Sequence, residues 1–408
     1  MSYPSVTKLT ADVIAAKGRL ALGCFVQGGK IIPALSPVKV ADINYFAPSC
    51  VKFCEGYGKF IAFAAGNIYS MDTDGNVEKS SITLPAKKPF FADTTGDSGI
   101  ESFLIGDKNY VRIRSTGLTL KNLWNEVAGG AYKNGRLFAI DGKDGHKIQW
   151  SGTGGVDDWS YDISAAGWAY VKEDLGKIVD LAVYGGDLIA LCEYGVCLFS
   201  AFGNTENFKR AYMGVNLQKI DENTAAVAAE KLVFCAGGRV HTFDKNEVKE
   251  LAHEYADDFF APLAAVALGD WYYVCGQSAG LGRGVILSVN ASTGEAYYID
   301  ASASAMCSHG NIWGFTAQSA FKLGRGGYTF TSGNIDFGTP KRKLLKSVHL
   351  GNCGEVDVEV TSGVKTRILR GVKGYCRIDM SGKDFKICVQ GNGEIGGIQA
   401  VAEAVDVL

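Results

Sequence analysis

Five short runs carry residue types that can do chemistry. Gly391-Asn392-Gly393-Glu394-Ile395-Gly396 matches G-x-G-x-x-G behind an apolar strand. Dinucleotide binding by such a turn needs a βαβ unit of about 30 residues and an acidic ribose ligand about 20 positions on. Only twelve residues follow Gly396, so the run reads as a glycine-rich hairpin between the last two strands. Asp72-Thr73-Asp74-Gly75-Asn76 spaces oxygen ligands as calcium loops do but lacks the closing bidentate glutamate; a tight hairpin turn explains it without metal. Gly280-Leu281-Gly282-Arg283-Gly284 could cradle an anion, yet no Lys-Ser/Thr follows, so it reads as a β–β loop rather than a P-loop. Asp157-Asp158-Trp159 sets carboxylates beside an aromatic ring, as sugar sites do. Read structurally, it is a turn whose tryptophan anchors a sheet. Lys341-Arg342-Lys343, with Lys346, is the one dense basic run. It is either a solvated strand start or a contact with an acidic neighbour in an assembly, where complementary charge steers docking.

Catalysis has little support. No G-x-S-x-G, H-E-x-x-H or Ser/His/Asp constellation is present. A propeller glycosidase would need two carboxylates about 5–10 Å apart, and 43 acidic residues do not single out a pair. The eleven cysteines include no C-x-x-C pair, and the five histidines are scattered singly. Cys50/Cys54 and Cys192/Cys197 have the wrong spacing for a zinc knuckle. Cys192, Cys235 and Cys275 sit in apolar runs, which suits reduced thiols acting as small hydrophobes. The expectation is a non-enzyme with no metal and no cofactor.

These runs must be held by something, and composition narrows what. Of 408 residues, 52 are glycine and 8 proline, with no Gly-X-Y period, so many tight turns joining short strands is the surviving reading. A net charge of −2 and a pI near 6.2 argue against a nucleic-acid-binding protein, which clusters Lys and Arg on one face. The longest apolar stretches, such as Phe259–Leu268, fall well short of the roughly 20 residues a membrane helix needs. The N-terminus lacks the basic start and apolar core of a secretory signal. A soluble protein, made and assembled in a cytoplasm, is expected.

One unit recurs: turn, apolar strand, turn, apolar strand. Taking Phe60, Phe103, Leu137, Leu188, Leu232, Trp271 and Ile312 as equivalent, it returns every 34–51 residues, 42 on average. Units of that length with four short strands are β-propeller blades. Asp74-Gly75, Asp141-Gly142, Asp144-Gly145 and Gly185-Gly186 supply turn residues that tolerate positive φ. The fold predicted is all-β: a six- or seven-bladed β-propeller over 1–327, followed by a small C-terminal β-sandwich over 328–408. Residues 18–35 supply a further hairpin or the strand that closes the ring. Short helical turns are expected within 6–18 and around Glu250–Phe260. In the sandwich, 356–360, 376–380, 385–390 and 398–407 read as strands.

Three fragments together resemble a known group. KIQWSGTGGVDDWS (147–160), AAVAAEKLVFCAGGRVHTFDKNEVKELAHEYADDF (225–259) and SGNIDFGTPKRKLLKSVHL (332–350) are similar to segments of the bacteriophage tail-hub, stabilisation and tail-nozzle group of propeller-containing structural proteins. The resemblance implies a non-catalytic virion protein of the tail, tail tip or neck, forming a ring with its own copies and other tail proteins. It places the protein in the virion after assembly in the host cytoplasm. Carried over to residues, it implies structural roles for Trp150, Trp159 and the 336–343 junction. Two other classes stay open: a propeller that binds a cell-surface glycan, and a propeller glycoside hydrolase or lyase.

Overall fold

The computed structural model describes residues 6–16, 19–43, 47–96, 99–160, 165–201, 205, 208–214 and 217–405. Strands make up nearly all of its regular structure, with 3-10 turns at Glu173–Leu175 and His253–Tyr255. The chain divides into two compact units, a larger one of Lys39–Gly294 and Ser302–Lys322 and a smaller one of Met1–Val38, Glu295–Ala301 and Leu323–Leu408.

The larger unit is a succession of antiparallel sheets. Cys50–Cys54, Lys59–Ala64, Asn67–Met71 and Val77–Thr83 make one sheet; Ile178–Tyr184 to Arg210–Gly214 make another; Ala226–Ala228 to Val248–Leu251 make a third. Between the first two of these runs an apparently six-stranded sheet from Phe90 to Tyr170. Its Gly99–Arg114 strand is not straight. An extended chain rises about 3.3 Å per residue, which would hold residues 101 and 112 tens of ångströms apart, yet Arg112 Nη2 lies 2.6 Å from Glu101 Oε2. The strand doubles back at Asp107, whose φ is +50°. The next strand, Gly117–Lys133, pairs its first part with 109–114 and its last part with 136–141, breaking register between. The six-stranded sheet is thus two four-stranded groups sharing one continuous strand.

Apolar side chains seal each sheet to the next. Ile61 and Phe63 meet Leu104, Val111 and Ile113; Phe103 and Tyr110 meet Leu137 and Trp159. Phe138 and Trp150 meet Leu188 and Phe199, and Ile189 and Leu191 meet Leu232 and Phe234. Phe60 and Ala62 then pack on Trp313 and Phe315, so the last sheet returns to the first. Sheets covered on both faces need apolar residues at every position, which is why Leu188–Cys192 is buried throughout rather than alternating. Residues 24–33 form a hairpin, and Leu35–Asp42 supplies the fourth strand beside Ser319–Arg325. Gly75, Gly185 and Gly186 take the positive φ their turns require. Residues 141–146 instead turn around the Asp141 carboxylate, which accepts from the amides of Lys143 and Asp144.

The smaller unit corrects the boundary expected at 327/328. Val6–Asp12 pairs along its whole length with Gly397–Val405, and Leu20–Leu22 pairs with Tyr328–Thr331, so the chain's first 38 residues group with its last 86. The helical turn expected over 6–18 is a strand at 6–12, where Val6, Thr7 and Thr10 suit a pleated partner. One sheet runs Val6–Asp12, Gly397–Val405, Lys343–Gly351, Tyr375–Gly382; the other contains Tyr328–Thr331, Lys386–Gly391, Val356–Ser362 and Lys365–Val372. Alternate residues Val356, Val358 and Val360, with Cys376, Ile378 and Met380, are buried between them. The stretch 391–396 links the two sheets instead of forming a hairpin within one.

Candidate functional site

A cleft of about 460 Å³ opens on the larger unit, lined by Glu55, Gly56, Ile100, Glu101, Arg114 and their neighbours. The turn after Cys50–Cys54 supplies Glu55 and Gly56, the Gly99–Arg114 strand supplies Ile100, Glu101 and Arg114, and the turn after that strand supplies Ser115 and Thr116. Gly56 is needed there, because a Cβ would stand 2.2 Å from the Ile100 carbonyl oxygen. Glu101 is 8% exposed and accepts from Arg112 Nε and Nη2 at 2.8 and 2.6 Å, while Arg114 Nε lies 2.5 Å from its other oxygen. Burial would raise the Glu101 carboxyl, but the hydrogen bonds and charges of the two arginines overcome it and hold it below the usual range. It is a fixed anion and not a proton donor. On the same side, Glu55 Oε1 sits 3.5 Å from His309 Nδ1, and the His309 ring stacks on Phe53 at 3.4 Å. Glu55 is exposed at the cleft, and His309 beside it is half-buried.

Other polar groups are spent on one another. Ser102 Oγ donates to Asp93 at 2.7 Å, and Lys52 pairs with the same carboxylate; a hydroxyl that donates to a carboxylate already held by a lysine is positioned, not activated. The Cys54 thiol nearby is pushed up to about 12 by burial. Asp180, on the first strand of its sheet, is pushed up to about 6 by burial, opposed by amide donors from Leu181 and Ala225 and reinforced by the charge of Glu222. Buried His241 is held below its ordinary value by burial, and its Nδ1 has no partner among the described residues.

The basic run does not form one patch. Lys343 is buried and gives its ammonium to the carbonyls of Thr339 and Lys341 at 2.6 and 2.9 Å. Lys346 lies 3.7 Å from both Asp379 and Glu403, and Arg342 Nε reaches Ser381 Oγ. Arg342 and Lys341 remain on the surface. The 336–343 stretch lies inside the smaller unit, between two of its strands. Trp150 and Trp159 are both buried, Trp159 Nε1 donating to Val156 O, and Asp157 accepts from Tyr110 Oη at 3.0 Å. The Asp72–Asn76 run closes on itself, Asp72 accepting from the amides of Asp74 and Asn76. Gly280 N–H is taken by Asp258. Among the described residues no cluster of three His, Cys, Asp or Glu could hold a metal ion, and no helix is long and apolar enough to cross a membrane.

No family model matches the chain, and no curated protein matches it. Solved structures do. The chain is similar to virginiamycin B lyase from Staphylococcus aureus, at 14% identity and a TM-score of 0.52, over 71% of this chain and 98% of that one. A catalytically inactive histidine-to-alanine variant of that lyase with quinupristin gives 14% identity and 0.50 over the same shares. The Neurospora crassa Pan2 WD40 domain gives 9% and 0.49, over 74% and 97%. The fold is a β-propeller. At these identities the likeness reaches the propeller's architecture and stops there. The Glu101–Arg112–Arg114 cluster was missed from sequence, although an acid at one end of ESFLIGDKNYVRIR and Arg-x-Arg at the other is what a hairpin brings together.

Proposed function

We propose that the larger unit is a seven-bladed propeller and that the protein is a non-catalytic structural component of a bacteriophage tail, tail tip or neck. In this reading propeller and β-sandwich contact like copies and other tail proteins within a ring. The seven repeat anchors fall on successive second strands once Gly99–Arg114 is read as a hairpin, which supports the blade count. The observation that carries the scaffold reading is that charged side chains of the propeller neutralise each other: Glu101 with two arginines, Asp93 with Lys52, Glu222 with Lys88. Catalytic clefts hold such groups apart with their pKa values tuned. Closed rings are the usual outcome for a self-associating chain. Mass photometry and negative-stain microscopy of the purified protein, alone and with lysate from cells carrying its neighbouring genes, test this. Rings or tail-like particles containing it are expected; a strictly monomeric chain absent from purified particles overturns it.

Glycan binding is the second reading, and one feature favours it. Trp168 and Tyr170 are each about half exposed on the Gly167–Tyr170 edge strand, packed edge to face at 5.4 Å, with Lys147 Nζ 5.4 Å from the Trp168 ring. Such a platform accepts the C–H face of a sugar. A glycan array with hits lost in Trp168→Ala supports it, and an array without hits counts against it.

A further inference from the structure

The Lys365–Val372 strand ends its sheet and, among the described residues, pairs only with Val356–Ser362. The hairpin turns through Gly363, at φ +58°, with Ser362 opposite Lys365 and Val360 opposite Arg367. In a two-residue hairpin those pairs carry the ladder bonds, so the backbone groups of Thr366 and Ile368 point to the open edge. The strand is exposed on both faces over 365–368. Val364 at the tip is fully exposed and Ile368 is 58% exposed.

The strand itself carries only cations, while its neighbour carries Asp357 and Glu359, with Glu359 opposite Ile368. Residues 360–378 hold five cations, Lys365, Arg367, Arg370, Lys373 and Arg377, and no acid. Lys373 pairs with Glu355 and Arg377 with Asp379, and Arg367 gives its guanidinium to the Ile378 carbonyl. Lys365 and Arg370 have no ion pair among the described residues. Charge alone would blunt an edge against accidental pairing, but Val364 and Ile368 add the apolar anchors that a docked strand uses.

We propose that this edge docks an acidic, extended segment of another protein by strand addition, main-chain bonds giving affinity and alternate side chains specificity. The proposal deepens the assembly reading and rests on it. A second copy is a poor occupant, because the last strands of three of its sheets offer no net negative charge: Val77–Thr83 carries Glu78 with Lys79, Val248–Leu251 carries Lys249 with Glu250, and Arg210–Gly214 carries Arg210 alone.

The test uses the full chain and a labelled peptide alternating Glu and Val, with a Lys–Val peptide and a DNA duplex as controls, read by fluorescence anisotropy. The Glu–Val peptide is expected to bind, about tenfold more weakly to Lys365→Glu/Arg370→Glu and not to Ile368→Pro, which removes an outward N–H. Should Ile368→Pro fail to fold, the charge-reversed variant decides by switching preference to the Lys–Val peptide. Equal binding of both peptides, wild-type binding by a folded Ile368→Pro, or binding of DNA in place of the peptide overturns the proposal. Incorporation into particles is read separately: a chain that enters particles without binding the acidic peptide overturns this inference alone, and a wild-type chain absent from them overturns the assembly reading.

Discussion

Lys88 Nζ lies 2.6 Å from Glu222 Oε2, although 134 residues separate them. Lys88 precedes the Phe90–Gly96 strand and Glu222 precedes Ala226–Ala228, so the pair ties together the entries to the first strands of two non-adjacent sheets. Both side chains are well exposed, and such pairs are worth about 0–1 kcal/mol. Lys88→Ala is therefore expected to leave the melting temperature nearly unchanged. Its effect falls on Asp180, whose carboxyl Glu222 already pushes upward: with Glu222 unpaired, Asp180 titrates higher still. Carboxyl-carbon NMR of Asp180 in both proteins measures this.

Asp180 itself carries a sign that can be checked. Its carboxyl is pushed up to about 6 by burial, with Glu222 adding to it, above the ordinary value near 3.9. A carboxyl raised on folding contributes stability that is present below the unfolded pKa and lost as pH rises through the folded one. Asp180→Asn should therefore melt higher than the wild type at pH 8, by about 1–3 kcal/mol once its partial solvent access is allowed for, and equal it at pH 4. Thermal unfolding across that range decides.

Glu101 has the opposite sign. Burial raises its carboxyl and the two arginines lower it further, so its contribution is present above the unfolded pKa and lost as pH falls through the folded one. Glu101→Gln is expected to cost about 1–3 kcal/mol at pH 7, with the gap narrowing towards pH 3. Urea unfolding at both pH values tests it; an unchanged gap would remove the ionic account of the cluster.

The cysteines should behave as core residues. Burial pushes the thiols of Cys54, Cys192, Cys235 and Cys275 up to about 12, so their thiolate population at pH 8 is negligible. Cys353, Cys50 and Cys388 are partly exposed, but burial pushes the thiols of Cys50 and Cys388 upward. A native thiol titration is expected to show one fast group, mapped to Cys353 by mass spectrometry, with all eleven reacting after denaturation.

The repeat was legible because each blade is a local object. Phe60, Leu137, Leu188, Leu232 and Ile312 recur where second strands must be apolar on both faces, and Gly75 and Gly185-Gly186 mark turns that only their backbone freedom permits. The strands at 356–362 and 375–382 were legible too, because one covered face imposes a period of two. What sequence could not carry was pairing between distant segments. Nothing in Val6–Asp12 names Gly397–Val405 as its partner, and nothing in Leu35–Asp42 names Ser319–Arg325, since backbone hydrogen bonds are indifferent to side-chain identity. The same holds for the chemistry. Lys341, Arg342, Lys343 and Lys346 are one cluster along the chain and four separate environments in the fold, because the pleat turns Lys343 inward and gives Lys346 to Asp379 and Glu403. Glu101, Arg112 and Arg114, unremarkable along the chain, become one buried ionic unit through the reversal at Asp107. Composition and period determined that this chain builds a propeller; long-range strand pairing decided which charges meet and which edge stays open.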